Sequence, residues 1–215
     1  MIDRIVPPYV SIHYATEFQD HHLFPGEDSG LKGTVPIRRT EFATGRATAR
    51  AAIQKLGLLP LGIPVGPGRE PIWQSGVVGS ISHCPGYCVA AVARSGDALS
   101  IGIDCELNAP LPFDVVKMVI LPQEQSQIDG FDAGPIHWDR LVFSAKESVY
   151  KCWYPLMRDW LGFEEAMIVI DPDKFRFEVK LARSCQAPFG RFDRFAGRFI
   201  QCGEHLITAI VVPNG

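Results

Sequence analysis

Two long helix-forming segments, each followed by short apolar runs of strand character, set the architecture open to this 215-residue chain. The first covers about residues 37–56 and meets Gly57, a residue suited to the left-handed turn that closes a helix. Its apolar positions Phe42, Ala49, Ile53 and Leu56 fall on one stripe at helical spacing, and Gly45 inside it implies a packing or ligand reason. Residues 57–71 hold four prolines and four glycines in fifteen positions and read as a loop. Residues 77–82, 87–93 and 100–104 read as strands, the second with the β-branched and small residues of a buried one. Pro110, Pro112 and Pro122 punctuate a segment of short helices before the second long helix, about 135–154, which Pro155 should stop. Strands are expected at 166–170, 174–179, 195–201 and 206–212, with a short one near 10–14. Each half offers one long helix and about three strands. The chain is therefore expected to be α+β, with two similar halves, 1–105 and 106–215, related by pseudo-two-fold symmetry around a cleft in one compact unit.

The apolar runs are too short to span a bilayer, and Met1-Ile2-Asp3-Arg4 lacks the apolar core of a secretory signal. A cytoplasmic chain with no membrane partner is the expectation. Six cysteines form no C-x-x-C pair, so they read as reduced thiols filling the core. The net charge of −3 conceals segregation: 97–147 holds nine Asp/Glu against three Lys/Arg, and 174–198 seven Lys/Arg against two acids. An acidic centre suits a cation site; a basic C-terminal stretch suits an acidic partner or a set of solvated strand faces. No nucleic-acid module is present and the chain as a whole is not basic, so no nucleic-acid partner is expected.

The acidic centre has a pattern. In Ile103-Asp104-Cys105-Glu106, at the end of an apolar strand, Asp104 and Glu106 share a face and Cys105 points away. About forty residues on, Glu147 and Lys151 lie one turn apart on the second long helix. Three carboxylates on rigid elements suit a hard cation such as Mg²⁺, which keeps waters and phosphate oxygens in its shell, and the lysine suits a phosphate or a leaving oxygen. Arg39, Arg46 and Arg50 form a stripe that can clamp phosphate, although such a stripe is more often a solvated face. Arg69, in a turn, and His83, ending the Ser80-Ile81-Ser82-His83 run, raise the same question.

Taken in order, these pieces resemble one family. Arg39-Thr40-Glu41-Phe42 with Gly45-Arg46 and Ala49-Arg50, then Arg69-Glu70-Pro71-Ile72-Trp73, Gly79-Ser80-Ile81-Ser82-His83, Gly102-Ile103-Asp104-Cys105-Glu106 and Phe143-Ser144-Ala145-Lys146-Glu147-Ser148-Val149-Tyr150-Lys151 are similar to the Sfp-type (EntD-like) 4'-phosphopantetheinyl transferases. His137-Trp138-Asp139-Arg140 and Trp160-Leu161-Gly162-Phe163-Glu164 resemble the actinobacterial branch. The resemblance covers roughly residues 37–165.

It implies the family's fold, two α+β halves with coenzyme A between them, and its reaction: transfer of 4'-phosphopantetheine from coenzyme A to a serine of an apo acyl or peptidyl carrier protein, releasing 3',5'-ADP. By the same resemblance Asp104, Glu106 and Glu147 hold Mg²⁺, or Mn²⁺ in its place. Glu147 doubles as the general base, and Lys151 stabilises the leaving phosphate. Ser82 and His83 meet the adenosine 3'-phosphate, Arg46 the coenzyme; Arg39, Arg50 and Arg69 lie in the matching motifs. Relatives often carry a lysine in the loop before Gly68. Val65, Gly66 and Pro67 supply none, and Arg69 is expected to take that contact. The basic stretch 174–198 is expected to steer acidic carriers, and the chain to act as a monomer. Two rival readings use the same residues: a Mg²⁺-dependent pyrophosphohydrolase, and a coenzyme A-binding module without catalysis.

Overall fold

The computed structural model describes residues 2–31, 33–132, 134–187 and 190–215. It is α+β, as the helix-then-strands pattern predicts. Two antiparallel sheets carry it. Strand β1 (Ser11–Ala15), β2 (Val77–Cys84) and β3 (Tyr87–Arg94) form a three-stranded sheet in the order β1-β3-β2. Strands β4 (Ala98–Leu107), β5 (Ala166–Asp171), β6 (Arg176–Ala187), β7 (Gly190–Cys202) and β8 (His205–Pro213) form a five-stranded sheet in the order β4-β8-β7-β6-β5.

Helix α1 (Pro36–Lys55) lies on the smaller sheet and buries Ala49, Ala52 and Ile53 against Ala90 and Val92 of β3. Gly57, at φ 75°, closes it as expected. Gly45 stands against Ile81 of β2, which supplies the packing reason anticipated for it. Helix α4 (Trp138–Met157) covers the larger sheet and packs Leu141, Val149 and Trp153 among Phe177, Val179 and Phe199. It starts three residues later than expected and runs past Pro155, which sits in its last turn; Arg158, at φ 54°, ends it. A proline this close to the end removes one intrahelical bond and leaves the preceding turns intact. The short helices α2 (Phe113–Val119) and α3 (Pro122–Ile128) fill the proline-punctuated segment.

The expected division at 105/106 falls inside β4, which pairs along its length with β8 from the far end of the chain. β4 belongs to the larger sheet, yet lies beside β2. No backbone ladder joins these two edge strands. Ser80 Oγ accepts from the Ile103 amide at 3.1 Å, and Ser82 Oγ from the Cys105 amide at 3.3 Å, so serine hydroxyls splice the sheets.

β4 and α4 run past each other in step. Ser100 Oγ donates to the Cys152 carbonyl at 2.7 Å, Gly102 faces Ser148, Asp104 meets Ser144, and Glu106 meets Arg140. Two strand residues span about 6.6 Å and four helix residues about 6 Å, so this pairing repeats without slipping. Gly102 permits it, since a Cβ there would stand 1.8 Å from the Ser148 carbonyl oxygen. Cys105 turns the other way, into the core with Cys84 and Tyr87.

Candidate active site

The register of β4 on α4 brings Asp104, Ser82 and Lys151 together. Asp104 is buried, and its Oδ1 accepts from Ser82 Oγ at 2.8 Å and from Lys151 Nζ at 2.6 Å. Its Oδ2 accepts from Ser144 Oγ at 2.8 Å, and Lys151 also donates to Ser82 Oγ at 2.9 Å. Ser144 is tied to Thr208 of β8 at 3.0 Å. Ser144 was not foreseen, although its helical spacing, three residues before Glu147 and seven before Lys151, puts it on their face.

Glu147 and Lys151 line a cavity of about 530 Å³ that also takes in Arg69, Trp73, Tyr154 and Arg158. Positions 147, 150, 151, 154 and 158 all reach it, the 3–4 spacing of one helical face. On its far side, Arg69 adopts φ 67°, a left-handed backbone costing about 1 kcal/mol for a residue with a side chain. Such a conformation persists only where the surroundings impose it; here the Glu70 carboxylate accepts the Gly68 amide at 2.9 Å and pairs with Arg158. Glu147 and Tyr150 also border a second, apolar recess of about 200 Å³ walled by Trp160, Leu161 and Phe163.

The charges are coupled. Burial pushes the Glu106 carboxyl up to about 7; Asp104 adds to the rise and Arg140, at 3.0 Å, opposes it. Glu147 is raised by burial, lowered by Lys151 and raised by Asp104. Burial depresses Lys151, but the charge and hydrogen bond of Asp104, with Glu147, outweigh it and hold the ammonium above its ordinary range. Lys151 is thus a firm cation, suited to meeting an oxyanion. His83 is lowered, by burial first and then by Lys151 and Arg38 against Glu41 and Asp104, so it is neutral at pH 7 and able to donate one hydrogen bond.

Three carboxylates share one field, and two of them are raised, by burial first and by the charge of Asp104 in addition. That oxygen-rich set fits a hard divalent cation. Among the described residues, however, no three acidic, His or Cys side chains are already arranged as a cage. Asp104 is engaged by Lys151, and Glu106 by Arg140, which also donates to the carbonyls of Ala109 and Pro110. Cationic side chains thus balance the acids.

The arginine stripe of α1 divides. Arg39 is exposed and pairs with Asp20 at 3.2 Å. Arg46 donates Nε to the Ile63 carbonyl at 2.7 Å and lies 4.2 Å from the centre of the Phe42 ring; burial lowers it to about 10, so it stays charged. Its terminal nitrogens have no hydrogen-bond partner among the described residues. Arg50 differs from expectation. It is buried against Glu27 at 2.6 Å and donates to the His22 carbonyl at 2.8 Å, a strut for the segment before α1. Its Nη1 and Nη2 thus face protein acceptors. None of the three lines the 530 Å³ cavity.

Of the basic stretch, Arg176 stands opposite Arg198 and Lys180 opposite Arg194 on the exposed face of β6 and β7. The Arg191 side chain lies outside the described residues. No helix among the described residues is long and apolar enough to cross a membrane.

Comparison with known proteins adds independent findings. Residues 27–93 match the family model of the 4'-phosphopantetheinyl transferase N-terminal domain, and residues 100–208 that of the 4'-phosphopantetheinyl transferase superfamily. The chain is 46% identical to 4'-phosphopantetheinyl transferase Svp of Streptomyces mobaraensis, over 99% of this chain and 89% of that protein. It is 43% identical to 4'-phosphopantetheinyl transferase Npt of Nocardia iowensis, over 80% and 77% of the two chains. With 4'-phosphopantetheinyl transferase PptT of Mycobacterium tuberculosis it shares 42% identity over 69% and 66%.

Proposed function

The chain belongs to the 4'-phosphopantetheinyl transferase superfamily, and from that premise we propose that it moves 4'-phosphopantetheine from coenzyme A to a serine of an apo acyl or peptidyl carrier protein, releasing 3',5'-ADP. The observation that carries the reading is the Ser82–Asp104–Lys151 cluster, whose Lys151 lines the large cavity together with Glu147, the residue that also borders the apolar recess. A pyrophosphate beside Lys151 would send its nucleotide end into the cavity and its pantetheine arm past Glu147 into the recess.

Asp104, Glu106 and Glu147 would hold Mg²⁺ or Mn²⁺, which supplies neutralisation of the pyrophosphate as its anhydride bond breaks. Lys151, kept protonated by Asp104, meets the oxygen of the leaving phosphate. Glu147, raised by burial, takes the proton of the carrier serine late in the step, directly or through a water. Neutral His83 would donate to the 3'-phosphate next to Ser82, whose own hydroxyl proton goes to Asp104, and Arg46, whose terminal nitrogens have no hydrogen-bond partner among the described residues, and Arg69 would add charge. The face bearing Arg194 lies outward, where it would favour an acidic carrier. The chain acts in the cytoplasm as a monomer, since both acidic pieces come from one protomer.

Intact-protein mass spectrometry of an apo carrier incubated with this chain, coenzyme A and Mg²⁺ tests the reading. One added phosphopantetheine, lost with EDTA, is the expected result. Coenzyme A consumed without gain by any carrier would establish hydrolysis instead, and binding without consumption a non-catalytic module.

Lys151→Ala is expected to lower kcat about a hundredfold or more and to raise KM for coenzyme A far less, because the leaving oxygen gains its charge in the transition state. An unchanged kcat would remove Lys151 from the chemistry.

A pH dependence follows from Glu106. Its folded pKa, about 7, lies above its ordinary 4.5, so its contribution to stability is complete below 4.5 and lost as pH rises through 7. A cation taking Glu106 as ligand must expel that proton. Mg²⁺ is therefore expected to raise Tm more at pH 8 than at pH 6, and equal shifts would exclude Glu106 from the ligand set.

A further inference from the structure

The segment from Asp159 to Glu165, between α4 and β5, walls the apolar recess beside Glu147. Two cations grip it by its carbonyls. Lys146, the residue before Glu147, is buried; it donates to the Phe163 carbonyl at 2.9 Å and the Val119 carbonyl at 2.7 Å and pairs with Glu124 at 2.8 Å. That ion pair is part of the core. Arg183 of β6 is different. It lies where pairing between β6 and β7 shifts register, between Lys180 and Cys185, and so outside the regular ladder. Its Nη2 donates to the Trp160 carbonyl at 2.6 Å, its Nη1 pairs with Asp159 at 3.0 Å, and its Nε pairs with Glu165 at 2.7 Å.

The ends of the segment have other ties: the Asp159 carbonyl accepts from Trp153 Nε1 at 3.1 Å, and Glu165 caps the Gly162 amide at 2.9 Å. The described ties on Trp160 are the Arg183 bond, a bond from its own amide to Asp159 at 2.9 Å, and contact with Tyr150, ring centres 5.0 Å apart. Trp160 is 68% exposed, so packing alone does not fix it. Tyr150 borders both the recess and the larger cavity. One guanidinium thereby holds the aromatic edge at which the two spaces meet.

We infer that Arg183 is a positioning residue that sets the mouth of this recess, and through it which substituents on the coenzyme A sulfur the enzyme accepts. The inference rests on the transferase reading above. Arg183 is half-exposed, so its ion pairs contribute little to global stability. Its effect is geometric: a planar fork reaches a carbonyl and two carboxylates at once, which an ammonium does not. Loosening the wall should relax discrimination and leave the reacting groups where they are.

The experiment compares wild type, Arg183→Ala and Arg183→Lys on free coenzyme A and on an aryl-acyl thioester of coenzyme A, with one carrier. Deuterium uptake across 159–165 is followed in the same proteins. In Arg183→Ala the ratio of kcat/KM values should move about tenfold toward the thioester. Its kcat on free coenzyme A should stay within about twofold, because no group acting in the transition state is touched. Uptake should rise in that segment alone, and Arg183→Lys should recover only part of the wild-type ratio. An unchanged ratio, equal losses on both substrates, or unchanged uptake would overturn the inference. Wild type inert on both substrates would instead overturn the transferase reading, before any variant is compared, and the inference with it.

Discussion

Glu147→Gln is expected to abolish transfer and leave stability intact, whereas Asp104→Ala is expected to abolish transfer and weaken the fold. The contrast follows from their surroundings. Among the described residues Glu147 has no hydrogen-bond partner, and burial with the charge of Asp104 outweighs the favourable charge of Lys151, so a neutral amide of equal size removes a net unfavourable carboxylate. Asp104 accepts from Ser82, Ser144 and Lys151 in a buried position. Its loss strands the Lys151 ammonium and two hydroxyls, at a cost of about 3 kcal/mol. Denaturant melts and carrier mass spectrometry on the same preparations read the two effects separately. Full transfer by either variant would end the proposed roles. An Asp104→Ala protein as stable as wild type would mean that its three hydrogen bonds contribute nothing net.

Gly102→Ala, far from any reacting atom, is expected to be nearly as damaging. The added methyl would fall 1.8 Å from the Ser148 carbonyl oxygen and 2.9 Å from the Cys152 amide nitrogen. These are backbone atoms of α4 and cannot swing aside, so helix and strand must part. Overpacking of this kind costs about 3 kcal/mol. It would also separate Asp104 from Ser144 and Lys151, since the same pairing of β4 with α4 positions them. Loss of stability together with loss of transfer is the expected result. Unaltered activity in a folded Gly102→Ala protein would show that the close approach does not position the site.

Much of this was legible in the chain. The period of α1 and α4, the strand character of β2 to β4 and the placement of Asp104 with Glu106 on one face are local properties, set by 3.6- and 2-residue repeats that operate over a few residues. The helix spacing of Glu147 and Lys151 is of the same kind. Even Ser144 was within reach of that rule.

Other features have no local signal. Arg50 looks like its neighbours in the stripe, and only Glu27, 23 residues away in sequence, makes it a strut. Arg140 became the partner of Glu106 because β4 and α4 advance in step, a match of two periods across 34 residues. That β4 would leave the smaller sheet and pair with β8 depends on which edge strand finds a partner, a choice made between segments about 100 residues apart. The sequence by itself determined the elements, their buried faces and the kinds of chemical groups each presents, because those follow from short-range geometry. The tertiary structure alone decided which charge neutralises which, because electrostatic partners are chosen by proximity in space, and proximity is known only after the sheets have closed.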